Sequence, residues 1–246
     1  MIKRGNLKFP ANNCIIGFDA EWTKNYKIKN GNIPFCFSAV SVREKDFSIE
    51  KLLSGSILFE YIQYYCEDNN ELKKLISKAN YILSEIMNNL NNCILCGHQL
   101  SSDFNVFLNI ARAYNFNEAD SIARIISLWR ERKTKTEIFD TRYDISRSFL
   151  GKSRRLVDMC IDFNLDVRQP ELGNSSMTKL QNHYYDINET TIRERLSVMN
   201  LRHSFSATVL TWLNKQLTDT PHNKQININK TISNRTWGRF WVDSLA

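Results

Sequence analysis

Apolar residues come in short bursts over the first third of the chain and recur at spacings of three and four beyond it. Cys14-Ile-Ile-Gly-Phe-Asp-Ala-Glu-Trp22 is one such burst, ending in acidic residues, and predicts a strand. Ile33 to Val42 predicts a second, with Phe35, Phe37 and Ala39 on one face and Cys36, Val40 and Val42 on the other. Pro34 fits there because it stands at the strand's start. Ile57 to Tyr65 predicts a third strand. From about Glu71 to Asn88, Leu72, Leu75, Ile76, Ala79, Ile82, Leu83 and Ile86 mark one face of a helix. Cys93 to Cys96 is a brief apolar strand closed by Gly97-His98-Gln99. A helix over Ser102 to Ala113 has Ser101 or Ser102 as candidate cap. Further helices are expected over Glu118 to Arg132 and Arg155 to Phe163, with a short strand at Thr136 to Asp140 between them. A long helix is expected over Thr190 to Leu217, its middle weakened by Asn200 and by Ser204 to Ser206.

Strands first, then strands alternating with helices, predict an α/β fold with a mixed sheet flanked by helices. No linker, repeat or low-complexity tract divides the chain, so residues 1–217 read as a single domain. Residues 218–246 read as a less regular C-terminal segment packed on it. Gly at 8 and Pro at 4 exclude collagenous and Pro-rich architectures. No apolar run is long enough to span a bilayer, and no apolar stretch follows the N-terminal Met-Ile-Lys-Arg-Gly-Asn, so membrane insertion and classical secretion are not expected. Six cysteines are too few for a disulfide scaffold in a chain of 246 residues. They point to an intracellular, reducing compartment such as cytoplasm, nucleoid or nucleus. The net charge of +7 permits a polyanionic partner without requiring one.

Asp19 and Glu21 are two residues apart in the first strand, so both carboxylates project from one face at its end. Held that close they repel unless a cation sits between them, and Mg²⁺ or Mn²⁺ suits hard oxygen ligands. A solvated pair at a strand edge is the plainer reading of the same residues. In Gly97-His-Gln-Leu-Ser-Ser-Asp103, the aspartate falls in the first turn of a helix. There it is a partner for the helix dipole, or a third ligand brought to the same end of the sheet.

Together these motifs resemble the DEDD superfamily of 3′→5′ exonucleases, which share an RNase H-like fold. Phe18-Asp-Ala-Glu21 is similar to the family's first motif. Gly97-His98-Gln99 followed by Asp103 is similar to the second, with Gln for the usual Asn. Ile138-Phe-Asp-Thr141 and Ser153 to Leu165 look like the family's next strand and small helix, so the resemblance runs over roughly residues 12–217. It implies a nuclease that hydrolyses phosphodiester bonds from the 3′ end of DNA or RNA. Two divalent cations, Mg²⁺ or Mn²⁺, about 4 Å apart would clamp the attacking and leaving oxygens. It further implies Asp19, Glu21 and Asp103 as metal ligands and catalytic residues.

The third motif departs from the family, which places a final Asp on a late helix with a His five or a Tyr four residues before it. If His203 is that His, Thr208 stands at the Asp position. If His203 stands at the Asp position, Met199 and Val198 precede it. The small residues Ser204, Ser206 and Ala207 favour the second register, which makes the site Asp19, Glu21, Asp103 and His203, with His203 as metal ligand or general base. A core or capping histidine is the plain alternative. Trp22, His98, Gln99, Arg154 and Arg155 are the candidate nucleic-acid contacts.

Cys93-x-x-Cys96 with His98 has zinc-like spacing, but no second pair accompanies it, and buried thiols are the better reading. Lys152, Arg154 and Arg155, and separately Arg130, Arg132, Lys133 and Lys135, form basic clusters that suit phosphates or simply solvent. Trp237, Phe240 and Trp241 are expected to pack on the domain rather than stack on bases. A larger protein partner is compatible with all of this. So is a module that keeps the exonuclease fold, binds nucleic acid or a protein, and no longer cuts.

Overall fold

The alternation within Cys14-Ile-Ile-Gly-Phe-Asp-Ala-Glu organises the molecule, because this strand has a different helix layer on each side. A computed structural model describes residues 1–9, 13–25, 27, 30–117, 119–134, 137–145, 154–166, 175–216 and 224–237. Six strands, β1 (Ile2–Asn6), β2 (Cys14–Thr23), β3 (Ile33–Arg43), β4 (Glu60–Tyr65), β5 (Cys93–Gly97) and β6 (Ile138–Asp140), form one mixed sheet in the order β1-β4-β3-β2-β5-β6. β2 runs antiparallel to β3 and parallel to β5, so the sheet changes sense at the strand that carries Asp19 and Glu21. Two short strands, β7 (Leu165–Asp166) and β8 (Ile226–Asn227), pair separately.

The helices are α1 (Ile49–Ser54), α2 (Leu72–Asn88), α3 (Leu100–Ala113), α4 (Asp120–Arg130), α5 (Thr141–Asp144), α6 (Leu156–Asp162), α7 (Met177–Ile187), α8 (Thr190–Lys215) and α9 (Ile228–Arg235). Cys14, Ile16, Phe18 and Ala20 point into one core with Leu75, Ile82, Phe104, Phe107 and Ile122 of α2, α3 and α4. Ile15 points the other way, into a core built with Val198, Leu201, Phe205 and Val209 of α8. Burying a side chain of this size stabilises by about 1.5–3 kcal/mol, so each layer is firmly seated on the sheet. Ile226, Ile228 and Ile232 belong to the second core, so the described part of the C-terminal segment packs on the domain.

α8 crosses the sheet at Gly17, where a Cβ would run into the Ser204 carbonyl and the Thr208 hydroxyl. The polar residues expected to weaken α8 do not interrupt it. Ser204 Oγ lies 2.6 Å from Ser38 Oγ on β3, and Thr208 Oγ1 donates to the Ser204 carbonyl at 2.9 Å. Their hydroxyls are satisfied at the helix–sheet contact, and their small size permits the close approach.

Other boundaries shift for local reasons. The third predicted strand starts at Glu60, not Ile57, and α3 starts at Leu100 rather than being capped by Ser101 or Ser102. Gln99 takes a left-handed conformation (φ 64°), and the Leu100 amide donates to Asp140 Oδ2 at 3.0 Å. The cap comes from forty residues downstream, which no local pattern announces. β1, α1, α7 and α9 were not expected. β1 (Ile-Lys-Arg-Gly-Asn) is a largely polar edge strand with Ile2 as its one large apolar residue. All six cysteines are free and buried. Cys93 and Cys96 point into opposite cores, so no shared metal holds them. Among the described residues no helix is long and apolar enough to cross a membrane.

Candidate metal centre

Because β2 alternates, Asp19 and Glu21 lie on the face that meets α8 and not on the face that meets α3. α8 carries His203 to them: Nδ1 lies 2.8 Å from Glu21 Oε1 and 3.7 Å from Asp19 Oδ2. One ligand atom from each of Asp19, Glu21 and His203 falls within 4.8 Å of the others, a separation that a single cation can span. Asp103 arrives from α3, in the layer on the other side of the sheet. β5 pairs with β2 only as far as Gly17, which leaves the β2 edge beyond it open, and the Asp103 carboxylate accepts the Ala20 amide there. Its other oxygen, Oδ2, is buried without a hydrogen-bond partner, although Asp103 is only 2% exposed.

The electrostatics follow from this crowding. Burial, and then the neighbouring Asp19, push Glu21 up to about 7. Burial, and then Asp19 and Glu21, hold Asp103 well above the usual carboxylate range. Burial alone would lower His203, but its bonds and attraction to Asp19 and Glu21 outweigh that and raise it to about 10. A protonated imidazole thus neutralises part of the carboxylate charge. A divalent cation would do so more completely, and the donor set of hard carboxylate oxygens with one imidazole nitrogen fits Mn²⁺ and its neighbours; Asp103 stands outside that group of three, although it borders the same cleft.

These groups open onto a cleft of about 710 Å³. Trp22 and Lys24 border it from β2 and the turn after it; His98, Gln99, Ser102 and Asn105 border it from the β5–α3 corner. Of the predicted nucleic-acid contacts, Trp22, His98 and Gln99 line the cleft. Arg154 and Arg155 are not among its lining residues: Arg154 Nη2 donates to the Ile145 carbonyl at 2.8 Å, and Arg155 pairs with Asp158. His98 Nδ1 lies 3.0 Å from the Thr141 hydroxyl. Burial, followed by the Arg142 charge, lowers His98 to about 4, so it is neutral at physiological pH.

The two registers of the third motif share His203 and differ in Thr208 and Met199. Thr208 is spent on the α8–β2 contact, whereas His203 reaches both carboxylates of β2. Met199, four residues before His203, is buried among Phe35, Cys36 and Tyr65. Asn200, which by propensity alone weakens a helix, has a role at the site. Its Nδ2 donates to Asp19 Oδ2 at 2.8 Å and to the Asp19 carbonyl at 3.1 Å. Its spacing of three from His203, on one helix face, was the available signal.

Two of the remaining basic and aromatic candidates, Arg132 and Trp237, have structural partners. Arg132 pairs with Asp144 at 2.9 Å and stacks on Trp129. Trp237 packs between Arg4 and Tyr61 and donates to Glu194 Oε2 at 2.7 Å. Lys135, Lys152, Phe240 and Trp241 lie outside the described residues. No protein-family model matches the chain, and no curated protein matches it.

Proposed function

We propose that the protein is a metal-dependent 3′→5′ exonuclease with an RNase H-like fold, acting on phosphodiester bonds of DNA or RNA. The observation that carries this reading is the convergence of Asp19, Glu21 and His203 on one point, with the unpartnered Asp103 Oδ2 at the same cleft. The mixed sheet supports it, since the strand with the D-x-E motif is central and the strand leading to Gly97-His98-Gln99 lies beside it. Asp19, Glu21, Asp103 and His203 would hold two divalent cations, Mg²⁺ or Mn²⁺. Such ions supply an activated water and stabilise charge on the leaving oxygen. Trp22, at the cleft wall, offers a ring on which a terminal base can stack. His203 serves as ligand or as the base for the attacking water once a cation has displaced its proton.

A second reading, an exonuclease-fold module that binds without cutting, is favoured by one observation: His203 Nδ1 already engages Glu21 Oε1 at 2.8 Å, and in the favoured register a histidine replaces the family's last carboxylate. One experiment separates the two. Single-stranded DNA and RNA, labelled at the 3′ or the 5′ end, are incubated with Mn²⁺, Mg²⁺ or EDTA beside the Asp19→Ala variant. Metal-dependent shortening from the 3′ end, absent in the variant, is the expected result. Hydrolysis retained by a clean Asp19→Ala preparation overturns the assignment, and binding without cleavage under every metal selects the second reading.

A further inference from the structure

A carboxylate on Asp has a soft terminal torsion, so a ligating Asp needs a neighbour to fix the plane of its oxygens. At Asp19 that neighbour is Asn200. Its Nδ2 bonds at once to the Asp19 carboxylate and to the Asp19 main-chain carbonyl, at 2.8 and 3.1 Å. Both acceptors belong to one residue, so a single amide spanning them ties the side chain to its own backbone and restricts both of its torsions. Asn200 is in turn oriented from β4: Gln63 Nε2 donates to Asn200 Oδ1 at 3.1 Å and to the Ser197 carbonyl at 2.6 Å. That bond makes Oδ1 the acceptor and leaves Nδ2 for Asp19. Asn200 is 0% exposed and Gln63 is 1% exposed, so water cannot substitute for either bond.

We propose that Asn200 is a positioning residue for the metal centre, aiming the Asp19 carboxylate at the cation, with Gln63 holding Asn200 in turn. The relay joins three elements, β4, α8 and β2, and couples the sheet's packing to the metal site. It rests on the reading of Asp19 as a metal ligand.

The test is Mn²⁺ affinity of the full chain, measured by calorimetric titration for wild type, Asn200→Leu and Gln63→Leu, with denaturation midpoints in EDTA recorded alongside. Loss of such a supporting bond lowers metal affinity by about 10–100-fold. Asn200→Leu is expected to bind Mn²⁺ at least tenfold more weakly while its EDTA midpoint marks it as folded. Gln63→Leu is expected to shift affinity in the same direction by a smaller factor. Wild-type affinity, within twofold, in both folded variants overturns the proposal and leaves the metal centre standing. Wild type that takes up no Mn²⁺ overturns the metal-centre reading, and the proposal with it. If Asn200→Leu does not fold, Gln63→Leu decides: unchanged affinity overturns the relay, and weakened affinity supports it.

Discussion

Asp103 and Asp140 are both buried, both at the same corner of the sheet, and differ in what surrounds them. Asp140 is 0% exposed and fully engaged: it accepts the amides of Gln99, Leu100 and Arg142 at 2.9, 3.0 and 3.1 Å and the Trp129 indole at 2.9 Å. Asp103 is nearly as buried, yet one of its oxygens has no partner and its neighbours are the carboxylates of Asp19 and Glu21. A saturated buried carboxylate is architecture, here capping α3 and α5 and tying β6 to them. A buried carboxylate left unsaturated beside two others is maintained against its own desolvation, and a function for it has to be sought.

Substitution should separate the two. Asp140→Ala strands four donors in the interior, and its cost in stability is expected on the order of 4 kcal/mol, enough to endanger folding. Asp103→Asn keeps the shape, keeps an acceptor for the Ala20 amide and turns an NH₂ toward the anionic cleft. In EDTA it is expected to stabilise the protein by roughly 1–3 kcal/mol while abolishing metal-dependent hydrolysis. Denaturation midpoints of both variants in EDTA make the comparison. A destabilised Asp103→Asn would place Asp103 with Asp140 as architecture.

The pH dependence sharpens the same contrast. His203 is raised from its ordinary 6.5 to about 10 by its carboxylate partners, against the opposing effect of burial. Between those values the folded protein holds a proton that the unfolded chain has released. The stability it contributes is therefore fully present below pH 6.5 and lost as pH rises through 10. Metal-free wild type is expected to lose denaturation midpoint steadily across that window, and His203→Gln to flatten the curve. On the proposed metal centre, saturating Mn²⁺ would replace the proton as counter-charge, so it too should flatten the curve and should stabilise more at pH 8.5 than at pH 6.5. A His203→Gln curve parallel to wild type would remove His203 from the cluster.

The contrast also marks what could be read from the chain. The strand pattern of residues 14–22 is local, and it puts Asp19 and Glu21 on one face; equally local patterns over residues 33–42, 93–96 and 71–88 mark β3, β5 and α2. Gly97-His98-Gln99 marked a corner because Gly97 has no room for a Cβ, which would meet Leu100 and the Phe18 carbonyl. Asp140 as the cap of α3 was not legible, since it acts on residues far away in sequence and obeys no periodicity, and Asn200 as the partner of Asp19 had only its spacing of three from His203 to mark it. α8 errs in the other direction: Asn200 and Ser204 to Ser206 lower helix propensity in its middle, but tertiary contacts with Ser38 and Gly17 override it. His203 is common to both registers of the third motif, and its contact with Glu21 comes from the crossing of α8 over β2, which no local pattern announces.

The smallest expected effect concerns the cleft's wall against the outer surface. Trp22 borders the 710 Å³ cleft, whereas Arg155 holds Asp158 at 2.8 Å with 69% of its side chain exposed. Stacking of a base on an aromatic ring contributes about 1–3 kcal/mol, so Trp22→Ala is expected to raise KM for a single-stranded substrate roughly tenfold with little change in kcat. A solvated, already paired arginine outside the cleft adds only a screened attraction for the polyanion, and Arg155→Ala should leave both constants within twofold of wild type at physiological salt. Steady-state kinetics at two salt concentrations tell them apart. A KM that rises more for Arg155→Ala than for Trp22→Ala, and more so at low salt, would move the substrate path out of the cleft and along the surface beside α6.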